Sequence, residues 1–173
     1  VLRLIDANVD RIGEGLRVLE EVARFLLNDA DLCYRLKTLR HNLARAVPVS
    51  ETDLVSTRDV AADAGAFTRL PEGNHRDLAA LIAANSRRVQ ESIRVLEEFA
   101  RLPDTPLKAG PEDWERWRYE VYELEKQLIS KVLRQEKQVR LRGLYVIVDT
   151  GALRGRDAVE VAVQAIHGGA SVI

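Results

Sequence analysis

The sequence predicts a mainly α-helical chain: a pseudo-two-fold four-helix bundle built from two related hairpins, followed by one βαβ unit. Three observations point there. An eighteen-residue segment occurs twice, at residues 8–25 and 85–102. Apolar residues recur at spacings of three and four through most of residues 1–140, the period of one helical face. Charged residues make up 31% of the 173 positions and aromatic residues 5%, which favours amphipathic helices over a β-sandwich.

The first helix is expected over RLIDANVDRIGEGLRVLEEVARFLLN, where Ile12, Leu16, Leu19, Ala23 and Leu26 form one stripe and Asp6 suits an N-cap. Gly13 and Gly15 each weaken a helix by about 1 kcal/mol relative to Ala, so they point to close packing or backbone approach. A second helix runs from about Asp31 to Ala46 on the seam Leu32, Leu36, Leu39 and Leu43, and Pro48 closes it. Residues 47–75 lose the period and read as a long loop, of the kind that carries function or stays disordered. A third helix is expected from about Arg76 to Leu102, and a fourth from Pro111 to about Val139 with Glu112 and Asp113 at its positive end. After Arg142 the pattern changes. GLYVIVDT reads as a strand buried on both faces, DAVEVAVQAIHGG as a short helix and ASVI as a second strand. The expected domains are 1–140 and 141–173. The chain opens on Val1 and stops inside a strand pattern, so it is expected to be a piece of a longer polypeptide.

The repeat carries the chemistry. Asn8–Phe25 aligns without a gap on Asn85–Leu102, with ten of eighteen positions identical, among them Asn8/Asn85, Arg11/Arg88, Glu14/Glu91, Arg17/Arg94, Glu20/Glu97 and Arg24/Arg101. The partner helices echo one another more weakly: Leu36, Leu39, Arg40, His41 and Leu43 fall opposite Trp114, Trp117, Arg118, Tyr119 and Val121. At about 100° per residue, Asn8 and Asn85 project into an apolar face, with Arg11/Arg88 at its margin and Glu14/Glu91 further round. Two readings stay open. The Asn residues fix the helix register, or a polar pocket between the first and third helices gathers two Asn, two Arg and several Glu. Glu20/Glu97, Arg17/Arg94 and Arg24/Arg101 read as solvated pairs on an outer face.

The loop adds TRDVAADAG. Arg58 suits bidentate phosphate binding. Asp59 and Asp63 suit Mg²⁺, which takes one or two carboxylates with phosphate oxygens and water, and Gly65 would let backbone approach a phosphate. No GxxxxGK[ST] loop is present, and Gly13-Glu14-Gly15 lies inside a helix, so it is no dinucleotide fingerprint. The three His are dispersed, and the single Cys33 reads as core and suits a reducing cytosol. A net charge of −1 gives no bulk pull toward nucleic acid or an acidic membrane, and the apolar runs are too short to span a bilayer. The Trp114, Trp117, Tyr119 and Tyr122 set reads as core and rim.

Taken together, IDANVDRIGEGLRVLEEVARF, LKTLRHNL, TRDVAADAG, AANSRRVQESIRVLEEFARL and WRYEVYELEKQL resemble the small helical hydroxymethylpyrimidine-phosphate kinase domain that is often fused to the N-terminus of thiamine-phosphate synthase. GLYVIVD and HGGASVI resemble the opening of that synthase's (β/α)₈ barrel, here cut after its second strand. The resemblance implies ATP-dependent phosphorylation of hydroxymethylpyrimidine phosphate to the diphosphate. It also implies that synthase activity is not expected of the truncated barrel. In that frame Arg88, Asp59, Glu91 and Glu14 are the expected catalytic residues. Asn8, Arg11, Arg58 and Asn85 are expected to bind substrate and phosphate, and Asp59 and Asp63 to hold Mg²⁺. The expected partners are a pyrimidine phosphate and a nucleotide, with no nucleic acid and no membrane, in a cytoplasmic chain compatible with a homo-oligomer. The competing reading is a non-catalytic helical module that dimerises or tethers the barrel.

Overall fold

The computed structural model describes residues 1–59, 61–64, 74–140 and 143–173, with the backbone alone at Arg140. The chain is mainly helical with one small parallel sheet. It folds as two compact units, Val1–Val132 and Leu133–Ile173.

In the first unit, helix α1 spans Leu2–Glu21. It starts earlier than expected, because Leu2 and Ile5 extend the apolar stripe back to the chain's start. Asp6 is therefore not an N-cap but an interior, buried residue. The helix widens into a π-turn over Val22–Leu26, closed by the Leu27 amide donating to the Val22 carbonyl at 3.0 Å. Asn28 then takes a left-handed φ of 50°, which reverses the chain. Asp29 caps helix α2 (Ala30–Arg45) by accepting from the Leu32 amide at 3.0 Å. Its carboxyl is held below the ordinary range by hydrogen bonds from Lys131 and from that amide.

The stretch read as loop contains a short helix, α3 (Glu51–Ser56), started by Ser50 accepting from the Asp53 amide. Its single buried anchor, Leu54, gives too little periodicity to register in the sequence. Gly65 lies outside the described residues. Helix α4 (Leu78–Phe99) is capped by Asp77, and helix α5 (Pro111–Arg140) opens at a proline. No helix among the described residues is long and apolar enough to cross a membrane.

Helix α1 packs on both α2 and α4. Arg35 of α2 donates to Gln127 of α5 at 2.9 Å, and Gln90 of α4 to Glu125 of α5 at 2.6 Å. Ile5, Leu16, Leu36, Leu39, Ile82, Ile93, Leu124 and Leu128 share one buried core, each contributing about 1.5–3 kcal/mol by its burial. Cys33 packs half-buried against this core.

Helix α1 packs tightly against α4 at Gly15. A Cβ there would fall 2.6 Å from Val89 Cγ2 and 3.1 Å from the Asn85 carbonyl oxygen, whereas a Cβ at Gly13 would meet nothing within 4 Å. The two glycines therefore answer to different causes. Gly15→Ala is expected to destabilise the fold, because overpacking against the stiff Val89 side chain and the Asn85 backbone, up to about 3 kcal/mol, outweighs the ~1 kcal/mol gained in helix propensity. Gly13→Ala is expected to stabilise by about 0.5–1 kcal/mol. Urea denaturation of the two variants checks the opposite signs.

In the second unit, strand β1 (Leu144–Tyr145) pairs in parallel with strand β2 (Ala170–Val172), Leu144 opposite Ala170 and Tyr145 opposite Val172. Between them runs helix α6 (Ala158–His167), capped by Asp157 and ended by Gly168, with Gly169 at a φ of 97°. The expected strand GLYVIVDT is shorter than its pattern, and it is not buried: Leu144 and Tyr145 are exposed, and Ile147 is 80% exposed. The paired strands are too few to cover two faces of a sheet.

Candidate functional site

A cleft of about 800 Å³ opens on the first unit. One wall is a single face of α1. Asp6, Asp10, Gly13, Glu14 and Arg17 recur three and four residues apart, which stacks them along one side of the helix. The last two turns of α2 supply Arg40, His41, Leu43 and Ala44. The chain beyond it brings Val47, Val49, Glu51, Leu54 and Arg58, and α5 contributes Trp114. The floor is apolar and the rim charged, the usual form of a small-molecule site.

The segment after α3 is fastened to α1 by charge. Arg58 donates from Nε to Asp6 Oδ2 at 2.6 Å and from Nη2 to Asp6 Oδ1 at 2.9 Å, and reaches Asp10 Oδ2 at 2.5 Å. The Asp6 hydrogen bonds, then the Asp10 charge, raise the guanidinium pKa above its ordinary value. Arg58 thus stands on the cleft, with both aspartates as partners.

The remaining expected residues are placed differently. Of the set, Glu14 and Arg58 lie on the cleft wall; Asn8, Arg11, Asn85, Arg88, Glu91, Asp59 and Asp63 do not. Asn8 donates to the Leu4 carbonyl at 2.8 Å and Asn85 to the Leu81 carbonyl at 2.9 Å, so each amide is satisfied inside its own helix. Arg11, Arg88 and Glu91 are exposed. Asp59 Oδ1 accepts from the Ala62 amide at 3.0 Å and caps a turn, while Asp63 lies 3.4 Å from Arg3 Nη2. Arg3 also donates to the Asp59 carbonyl at 2.6 Å, which ties the segment to α1. No group of three or more His, Cys, Asp or Glu suited to a metal occurs among the described residues.

Glu20 and Glu97 correct the reading of a solvated outer face. They are 4% and 0% exposed, and each anchors arginines from two helices. Glu20 accepts from Arg17 Nη1 at 3.2 Å and from Arg40 Nε and Nη2 at 3.3 and 3.1 Å. Glu97 accepts from Arg94, from Arg101 Nη2 at 3.3 Å and from Arg118 Nε at 3.1 Å. A signal for this was present: Glu20 sits four residues after Leu16 and three before Ala23, on the apolar stripe itself. Asp6, Asp10 and Arg40 were not singled out as site residues, and His41, beside Arg40 in sequence, was at best a secondary candidate. Asp6, Asp10 and Glu14 at spacings of four could have shown the shared α1 face.

The ThiD2 family model matches residues 3–127, more than half of the chain and all of the cleft. The chain belongs to the ThiD2 family. Its curated relatives include a thiamine-phosphate synthase of Rhodopirellula baltica, 41% identical over 154 residues, which cover 86% of this chain and 40% of that protein. The thiamine-phosphate synthase of Synechocystis sp. is 40% identical over 139 residues, 80% of this chain and 39% of that protein. That of Synechococcus sp. strain CC9311 is 41% identical over 144 residues, with shares of 83% and 39%. The chain spans about two fifths of the length of these curated relatives. No solved structure matches it.

Proposed function

We propose that this ThiD2 chain is a phosphotransferase of thiamine biosynthesis, transferring a phosphoryl group from ATP to hydroxymethylpyrimidine phosphate to give the diphosphate. The thiamine-phosphate synthase step would then belong to the part of the longer relatives that this chain does not span. The observation that carries the reading is the cleft. It lies wholly within the family-matched residues and sets three arginines and four carboxylates around an apolar floor. Phosphoryl transfer is mostly positioning and charge neutralisation, so such a lining serves it without a covalent nucleophile.

In this reading α1, α2, α4 and α5 are a pseudo-two-fold four-helix bundle forming the kinase-like domain, and β1, α6 and β2 open a (β/α)₈ barrel. The partners are two small molecules, with no nucleic acid or membrane, in the cytoplasm. Arg58 and Glu14 remain the proposed contacts with substrate. Mg²⁺ accompanying the nucleotide needs one or two carboxylates beside phosphate oxygens and water. Asp10 and Glu14, one turn apart on the cleft wall, are donors of that kind. Bound there, the ion would neutralise phosphate charge. Asp59 and Asp63, with their own partners away from the cleft, fit that role less well.

The non-catalytic reading has one observation in its favour: all three cleft arginines are already ion-paired within the chain. An assay with ATP, Mg²⁺ and hydroxymethylpyrimidine phosphate separates the two, with ADP and the pyrimidine diphosphate followed by chromatography. Turnover is expected, with kcat/KM at least tenfold lower in Arg58→Ala. ADP release that does not depend on the pyrimidine phosphate would leave the scaffold reading in its place.

A further inference from the structure

The duplicated halves build the same buried network twice, but the two copies end differently. Arg40 and Arg118 are counterparts at an offset of 78 residues, and each gives its Nε to the buried glutamate of its own half. Beyond Arg118 stand Tyr119 and Tyr122. Its guanidinium carbon lies 5.2 and 5.9 Å from their ring centroids, and its Nη1 donates to the Tyr122 hydroxyl at 3.3 Å. At the corresponding places after Arg40 stand His41 and Ala44, and both line the cleft beside it. The Arg40 side chain is accordingly 27% exposed and that of Arg118 13%. One copy is roofed by aromatic rings; the other opens onto the cleft.

We propose that Arg40, oriented by Glu20, is an anion subsite of the cleft for the phosphate oxygens of a phosphorylated small molecule, and that Arg118 is its closed structural counterpart. A guanidinium carries five N–H donors in a rigid fork. Arg40 gives Nε and one Nη2 proton to Glu20, and its Nη1 takes no part in that pair. Because Glu20 is buried, it fixes the fork before any ligand arrives, so binding does not have to order a long flexible side chain. Glu20 is a positioning residue: it acts on the ligand only through Arg40 and Arg17. The inference deepens the phosphotransfer reading of the same cleft and rests on it for the identity of the ligand.

The test is calorimetric titration of the chain with inorganic pyrophosphate in the presence of Mg²⁺. Arg40→Gln is expected to weaken binding at least tenfold and Glu20→Gln about threefold or more. Arg118→Gln and Glu97→Gln should stay within twofold of the unaltered chain, although they disturb an equally buried network. That contrast separates positioning from mere stability. If Arg40→Gln does not fold, Arg40→Lys carries the test, since it keeps the charge but loses the fork, and a several-fold weakening is expected. Equal losses in the Arg40 and Arg118 variants would overturn the proposal, as would an Arg40 variant that binds normally or an unaltered chain that binds no pyrophosphate. The expected pattern without any kinase turnover would instead remove the phosphotransfer reading and leave the anion subsite standing.

Discussion

Replacing Glu97 with alanine is expected to lower the stability of the helical unit by about 3–5 kcal/mol, the usual cost of breaking a buried ion pair from one side. The cost concentrates at Arg118. Arg94 and Arg101 are half exposed and keep Glu98 as a partner, at 2.5 and 3.8 Å respectively, so water and that carboxylate take them over. Arg118 is less exposed to water: its side chain is 13% exposed, its other carboxylate, Glu115, stands 3.8 Å away, and the Tyr122 hydroxyl and then Glu97 hold its pKa above the ordinary value. A solvated pair would be worth only about 0–1 kcal/mol, so urea denaturation discriminates sharply. The double variant Glu97→Ala/Arg118→Ala should cost less than Glu97→Ala alone, because it removes the stranded charge. A single-variant loss below 1 kcal/mol would return Glu97 to the rank of a surface residue.

Trp114→Ala carries a comparable penalty by another route. Trp114 is the largest fully buried side chain and is 0% exposed. It meets Trp117 edge-on at 5.2 Å, and its indole N–H donates to the Ala109 carbonyl at 3.3 Å. Truncation removes the transfer free energy of the ring and leaves a cavity, together about 3–5 kcal/mol. It also strips a wall from the cleft. Trp114→Phe, which keeps most of the volume and loses the donor, should cost clearly less. Denaturation midpoints at constant slope would show both effects, and equal losses in the two variants would mean that the hydrogen bond, not the ring, is what matters.

The helices were legible because their apolar residues keep a period of three and four over long stretches, and the caps at Asp77 and Asp157 follow from side chains that accept backbone amides. Helix α3 was not legible, since six residues with one buried leucine show no period. The site was legible in part. Duplication marked Asn8, Arg11, Glu14 and their counterparts, but similarity between halves records shared packing as readily as shared chemistry. Asn8 and Asn85 turned out to serve their own helices. Arg58 stood out because a bidentate donor in a polar loop is chemically conspicuous, and it lines the cleft. Asp6 was misread as a cap because the true start of α1 lies four residues earlier.

The grip on Arg58 is uneven. Asp6 holds two of its nitrogens from a nearly dry position, and Asp10 holds one from the solvent side, its side chain 53% exposed. Dissolved ions compete first for the wet contact, while leaving Asp6 would strand a desolvated carboxylate. Arg58 is thereby anchored at its buried end, and the outer Asp10 contact is the one that salt should loosen first.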